Sequence, residues 1–131
     1  MPIKTVYIAS PYTKGDVAIN VRTPILVADI LREAGYLPYL PLMSHFWHMI
    51  SPHPYEYWTA MDMEWLYVCD CILRLPGESK GADAEVKRMI ELGKPVFYSL
   101  YQFLKDENKW KQATVAYLIE KRDCNISISK G

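Results

Sequence analysis

The sequence carries no excess of charge of either sign. Fifteen Lys and Arg balance fifteen Asp and Glu, so the formal net charge is zero. A nucleic-acid binder needs a positive stripe and an anionic membrane attracts a basic surface; neither is present, so no nucleic-acid and no membrane partner is expected. Long apolar runs are lacking too. The longest fall far short of the ~20 residues that span a bilayer. Lys4 is followed by only a strand-length apolar run, so no secretory leader is expected. Cysteine is scarce. Cys69, Cys71 and Cys124 are odd in number and lack metal-ligand spacing, which reads as reduced thiols in a cytoplasmic protein. Several catalytic signatures are also absent: G-x-G-x-x-G after the first strand, the P-loop, G-x-S-x-G and H-E-x-x-H. His45, His48 and His53 lie close together, but without cysteine or a recognisable ligand pattern they read as pocket-wall or surface residues, and no metal is expected.

What is present points to one folded domain spanning 1–131. Half the residues are apolar and 23% are charged, which excludes a disordered chain. Ten tyrosines and four tryptophans are many for 131 residues, and several cluster between Phe46 and Trp65. Such rings fill a core, line a pocket for a flat ligand, or form an oligomer interface.

The apolar pattern predicts strands at Thr5–Ala9, Tyr36–Leu40, Asp70–Leu75 and Pro95–Ser99. Helices are expected from Asp16 to about Ala34, over Tyr55–Cys69, over Ala82–Leu92 and over Leu100–Glu107. Pro24 marks a kink or a start in the first of these. Pro38 puts the second strand near an edge. A further helix over Trp110–Glu120 and a weak strand over Asn125–Ser129 are expected at the end. The alternation predicts an α/β three-layer sandwich, Rossmann-like or flavodoxin-like, with a mainly parallel sheet of about four to five strands. Ligands of such sheets lie beyond the carboxyl ends of the strands. The loops leaving those ends are Ser10–Asp16, Pro41–Pro54 and Pro76–Gly81.

Three polar groups stand in otherwise apolar surroundings. Asp62 shares a helix face with Trp58, Trp65, Leu66 and Cys69. It serves a pocket, or bridges to Lys87 or Arg88. Glu85 lies one turn into the helix that Ser79 is placed to cap, where the helix start favours an ionised carboxylate. It is a competent nucleophile at an acetal-like carbon, or a helix glutamate facing solvent. Tyr7, near the end of the first strand, aims its hydroxyl at the cleft or sits in the core. Asp70 reads as structural, and Asp83 as a favourable acid in the first turn of its helix. Lys80, Arg74, Lys14 and Arg22 are the candidate partners of a phosphate, with Lys80 the best placed. Phe46 or Trp47, in the Pro41–Pro54 segment, would stack on a flat ring and exclude water.

YIASPY (Tyr7–Tyr12), MDMEWLYVCDCILRL with Asp62, SKGADAE with Ser79, Gly81 and Glu85, and ELGKPVF follow one another in that order. Together they resemble the nucleoside 2-deoxyribosyltransferase-like superfamily, which includes base-exchanging transferases and hydrolases of nucleoside monophosphates. The resemblance covers roughly residues 7–97. It implies that Glu85 attacks the anomeric carbon, that Tyr7 orients Glu85, and that Asp62 places or protonates the leaving base. Ser79 and Gly81 would hold the 5′ end of the sugar or its phosphate. Ser10, Tyr12, Lys80, Phe46 and Trp47 complete the expected substrate contacts. The implied partner is a small nucleoside or nucleotide, the implied assembly a homo-oligomer, and no cofactor is required. The early loop, SPYTKGD, differs from the glycine- and arginine-containing loop of the monophosphate hydrolases.

Overall fold

All strand pairings in the sheet are parallel. The computed structural model describes residues 3–109. The expected helix at Trp110–Glu120, the strand at Asn125–Ser129 and Cys124 lie outside them. Strands β1 (Thr5–Ala9), β2 (Leu37–Tyr39), β3 (Cys71–Arg74) and β4 (Val96–Phe97) form a four-stranded sheet in the order β2-β1-β3-β4. Helices α1 (Val17–Glu33) and α5 (Leu100–Asp106) pack on one face, and α3 (Tyr55–Val68) and α4 (Lys80–Glu91) on the other. A 3₁₀ turn at Pro41–Met43 leads into the short α2 (Ser44–Ile50). The result is the α/β three-layer sandwich of Rossmann-like type that the alternation of strands and helices predicts.

Strand periodicity sorts the core. Val6 and Ile8 of β1, with Cys71 and Leu73 of β3, pack against Val27, Ile30 and Leu31 of α1 and Phe103 and Leu104 of α5. The intervening Tyr7, Ala9 and Ile72 pack against Leu66 of α3 and Val86 and Met89 of α4. Burial on both faces is why β1 and β3 read as nearly continuous apolar runs. β2 is an edge strand, where Pro38 costs no interior ladder bond.

Local chemistry sets the helix ends. Asp16 caps α1, its Oδ1 accepting from the Ala18 amide at 2.9 Å, and Gly35 follows the helix with φ +100°. α1 continues through Pro24 as one helix rather than starting there. β4 is shorter than expected because Ser99 is the N-cap of α5, its Oγ accepting from the Gln102 amide at 3.0 Å. The C-terminal carbonyls of α3 are taken by a distant residue. Lys94 donates to Leu66 O at 3.2 Å, to Cys69 O at 2.7 Å and to Tyr67 O. Those are the carbonyls that a helix end leaves without partners.

Cys69 and Cys71 are free and buried, and burial pushes their thiols up to about 11 and about 12, as suits unreactive core thiols. No helix among the described residues is long and apolar enough to cross a membrane.

Candidate active site

The chain reverses its direction of travel across the sheet between β1 and β3. In an open α/β sheet that switch point, at the carboxyl ends of the strands, is where a crevice forms. Here it holds a cavity of about 250 Å³. The loop after β1 contributes Ser10, Tyr12 and Thr13. The segment after β2 contributes Ser44 and His45. α3 contributes Tyr55 and Asp62. The start of α4 contributes Ser79, Gly81 and Glu85. A second cavity, about 160 Å³, opens on the α1 side against Ile19, Val27 and Leu100, but no acidic or basic side chain lines it. Chemistry therefore selects the first.

Glu85 is placed by the α4 cap. Ser79 Oγ accepts from the Ala82 amide at 3.1 Å and starts the helix, which then carries Glu85 back over β1. The fully buried Tyr7 of β1 donates its hydroxyl to Glu85 Oε2 from beneath the cleft. Its phenol lies far above its usual range, first through burial and then through the charges of Glu85 and Asp62, so it remains a donor. Burial pushes the Glu85 carboxyl up to about 7. The Tyr7 bond opposes that rise, the nearby Asp62 adds to it, and the Arg74 guanidinium opposes it again. The expectation that the helix start keeps Glu85 ionised thus meets a stronger effect. Glu85 sits beyond the first turn, where the helix field has faded, and desolvation outweighs what remains.

Asp62 faces the same cleft from α3. Burial pushes it up to about 7 as well, and its Oδ1 is buried with no hydrogen-bond partner. No bridge to Lys87 or Arg88 forms at that oxygen; Arg88 lies 4.0 Å from Glu91 instead. Two carboxyl groups in one cavity resist double ionisation. Glu85 has a donor and a nearby cation, whereas Asp62 Oδ1 has neither donor nor acceptor. The pair therefore resists carrying two charges, and the Tyr7 donor and the Arg74 guanidinium favour placing a single charge on Glu85.

The site collects Ser10, Tyr12, Asp62, Ser79, Gly81 and Glu85 on one surface, with Tyr7 behind them. Three expected contacts do not line it. Lys80 is exposed at the start of α4. Phe46 and Trp47 are about half exposed, and Trp47 meets Trp58 edge-on at 5.2 Å. Within α2, residues three apart share a face, so His45 and His48 turn together while Phe46 and Trp47 turn elsewhere. The ring that does cover the cleft is Tyr12, stacked on His45 at 3.7 Å. Burial, helped by His48, holds the His45 imidazole below its usual range and so neutral.

Arg74 is not a phosphate ligand. Strand alternation turns it toward α4, where it is buried and donates to Leu75 O, to Gly77 O at 2.8 Å and to Asp83 Oδ1 at 2.9 Å. Asp83 does stand in the first turn of α4, and the ion pair gives it a second role. Among the described residues no Lys or Arg lines the cleft. Asp70 is structural, as its position implied: its carboxylate accepts from the Thr5 amide at 2.7 Å and Thr5 Oγ1 at 3.0 Å.

Sequence reasoning missed Thr13, Ser44 and Tyr55. Tyr55 had a signal, since it stands two helical turns before Asp62 on the same face. Ser44 and Thr13 had none, because they reach the cleft only through the path of their loops. Protein-family models and curated protein sequences give no match to this chain. Its class is therefore defined by fold and site: a Rossmann-like sandwich with a partly buried carboxyl pair at the switch point.

Proposed function

We propose that the protein cleaves the N-glycosidic bond of a nucleoside or nucleoside 5′-monophosphate through a covalent glycosyl–Glu85 intermediate, with water as the favoured acceptor. Glu85 attacks the anomeric carbon as the carbon–nitrogen bond breaks. Protonated Asp62 gives its proton to the departing base. Asp62, now a carboxylate, takes a proton from water, whose oxygen attacks the anomeric carbon and releases Glu85. Two displacements at one carbon retain its configuration. Tyr7 holds the nucleophilic carboxylate in line and stabilises its charge.

One observation carries this reading: a carboxylate gripped from below by a buried phenol shares its cleft with a second, half-buried carboxyl whose Oδ1 is sealed from water with no hydrogen-bond partner among the described residues. Solvated surface acids do not meet that description. Ser79 and the first turn of α4 are suited to the 5′ oxygen of the sugar, and Tyr12 with His45 to the face of the base. Among the described residues the cleft wall is polar and carries no charged group besides Asp62 and Glu85, a lining suited to a 5′-hydroxyl. On this reading the protein is a nucleoside 2-deoxyribosyltransferase-like enzyme that needs no cofactor and works as a homo-oligomer. Transfer to a second base is the same chemistry with another acceptor.

The test is mass-spectrometric detection of free base from a panel of nucleosides and monophosphates, with and without an added base. Release by the wild type and its loss in folded Glu85→Ala support hydrolysis. Exchange only when base is added means transfer. Saturable binding without turnover, unchanged in Glu85→Ala, would leave a nucleotide-binding module and refute the enzyme.

A further inference from the structure

The outer wall of the cleft continues into a second hollow of about 270 Å³, and Ser44, His45 and Tyr55 line both. At its far end one imidazole of α2 reaches α3 and the linker before it. His48 Nδ1 accepts from the Trp58 indole N–H at 3.0 Å and from the His53 amide at 3.1 Å. An imidazole nitrogen accepts only when it carries no proton, so His48 is the neutral tautomer with its proton on Nε2. We propose that His48 is a pH-sensitive clasp that positions the α2–α3 wall of the cleft: its unprotonated Nδ1 ties Trp58 and His53 to α2, and protonation there releases both.

The proton balance is simple. One proton adds to Nδ1, the lone pair that served two donors is consumed, and the imidazolium has no acceptor left. The Trp58 and His53 N–H groups then turn to water. His48 is exposed, so the proton reaches it without unfolding. The titratable groups around it are His45 on α2, His53 on the linker, and Tyr55 on α3, with Tyr57 stacked on His53 at 3.9 Å. Among the described residues no carboxylate, lysine or arginine lines this hollow; the last turn of α2, which holds His48, favours an imidazolium, and a second histidinium would repel it. The clasp also holds more than itself. His53 stacks on Tyr57, and the Trp58 ring stands edge-on to Trp47, His48, His53 and Tyr57, so release loosens a cluster joining both helices. His45, which stacks on Tyr12 over the cleft, is one turn from His48 on α2.

The effect on turnover rests on the glycosidic reading; the clasp does not, and it is measured without substrate. Nitrogen-15 NMR of the full chain reports the His48 tautomer, the Trp58 indole N–H and the His53 amide at pH 8 and at pH 5. At pH 8 the Trp58 indole proton is expected to exchange with water about tenfold more slowly than in His48→Ala, a loss the size of one hydrogen bond. At pH 5 the difference disappears. His48→Asn places an amide oxygen close to Nδ1 and does not titrate, so its Trp58 proton stays protected at both pH values. Trp58→Phe keeps an aromatic ring and removes the donor, and the His53 amide then alone retains the pH dependence. The proposal is overturned if His48 carries its proton on Nδ1 at pH 8. It is also overturned if His48→Asn loses protection on acidification as the wild type does, because another group would then be the one titrating. A silent nucleosidase assay beside a titrating clasp refutes the catalytic reading alone.

Discussion

Replacing Glu85 by Gln should abolish turnover and, at alkaline pH, make the protein more stable. Gln keeps the shape and an oxygen for the Tyr7 hydroxyl, but no charge has to be held in the cleft. The Glu85 carboxyl rises from 4.5 unfolded to about 7 folded, chiefly through burial. The sign follows from that direction. A carboxyl raised by folding binds its proton more tightly in the folded state. Its stabilising contribution is complete below pH 4.5, is lost as pH climbs toward 7, and stays lost above. At about 1.4 kcal/mol per pH unit of displacement, the loss approaches roughly 3 kcal/mol. Urea unfolding of wild type and Glu85→Gln at pH 4 and pH 8 measures it. The variant should gain on the wild type by about 1–3 kcal/mol between those values, with the larger advantage at pH 8. A difference that is independent of pH, or a variant that loses ground at pH 8, would refute the assignment of Glu85 as a desolvated carboxylate. Stability held below its maximum by a charged group is a common cost of a working site.

Other outcomes follow from the same geometry. Tyr7→Phe removes the donor to Glu85; the acidic limb of the kcat/KM profile should move up by about one pH unit or more, since a hydrogen bond to a charged group is worth ~1.5–3 kcal/mol, and an unmoved limb contradicts the contact's role. Asp62→Asn should lower kcat by about 10²–10⁴ while leaving the fold at least as stable at pH 8, read by initial rates and urea melts. Gly77→Ala should destabilise by about 2 kcal/mol or more: the added Cβ would lie 2.6 Å from Pro11 Cγ, at a residue with φ +120°. A thermal melt shifted by under a degree would contradict that contact.

Much of the layer structure was legible because it is local. β1 appears at the residues its apolar run marks, and α1 begins after the predicted cap Asp16 and ends before Gly35. α4 begins where Ser79 allows it, two residues ahead of the expected start. β4 lost residues to the helix that follows, and Ser99 with Gln102 three positions on held the clue. The Tyr7–Glu85 contact joins residues 78 apart; the place of Tyr7 at the strand end suggested a carboxylate partner, and only the resemblance pointed to Glu85. Residues that depend on a loop's path were not readable. The Pro41–Pro54 segment folded into a 3₁₀ turn and a helix whose outward face takes Phe46 and Trp47, and its inner histidine took their place over the cleft. Arg74 looked like a free cation because its acidic partner, Asp83, becomes a neighbour only once β3 docks on α4.

Lys94 belongs to the approach to β4, yet its amine fastens the far end of α3. From Asp62 to the end of that helix at Val68 is six residues, or roughly 9 Å of axial rise. α3 is thus a lever pinned by Lys94 at one end, with the acid partway along it and, at the other end, the aromatic wall that joins it to α2. A small swing about the pin would move Tyr55 furthest and Asp62 less. On the proposed reading, loading the cleft would adjust its rim while Asp62 keeps its height above the sheet.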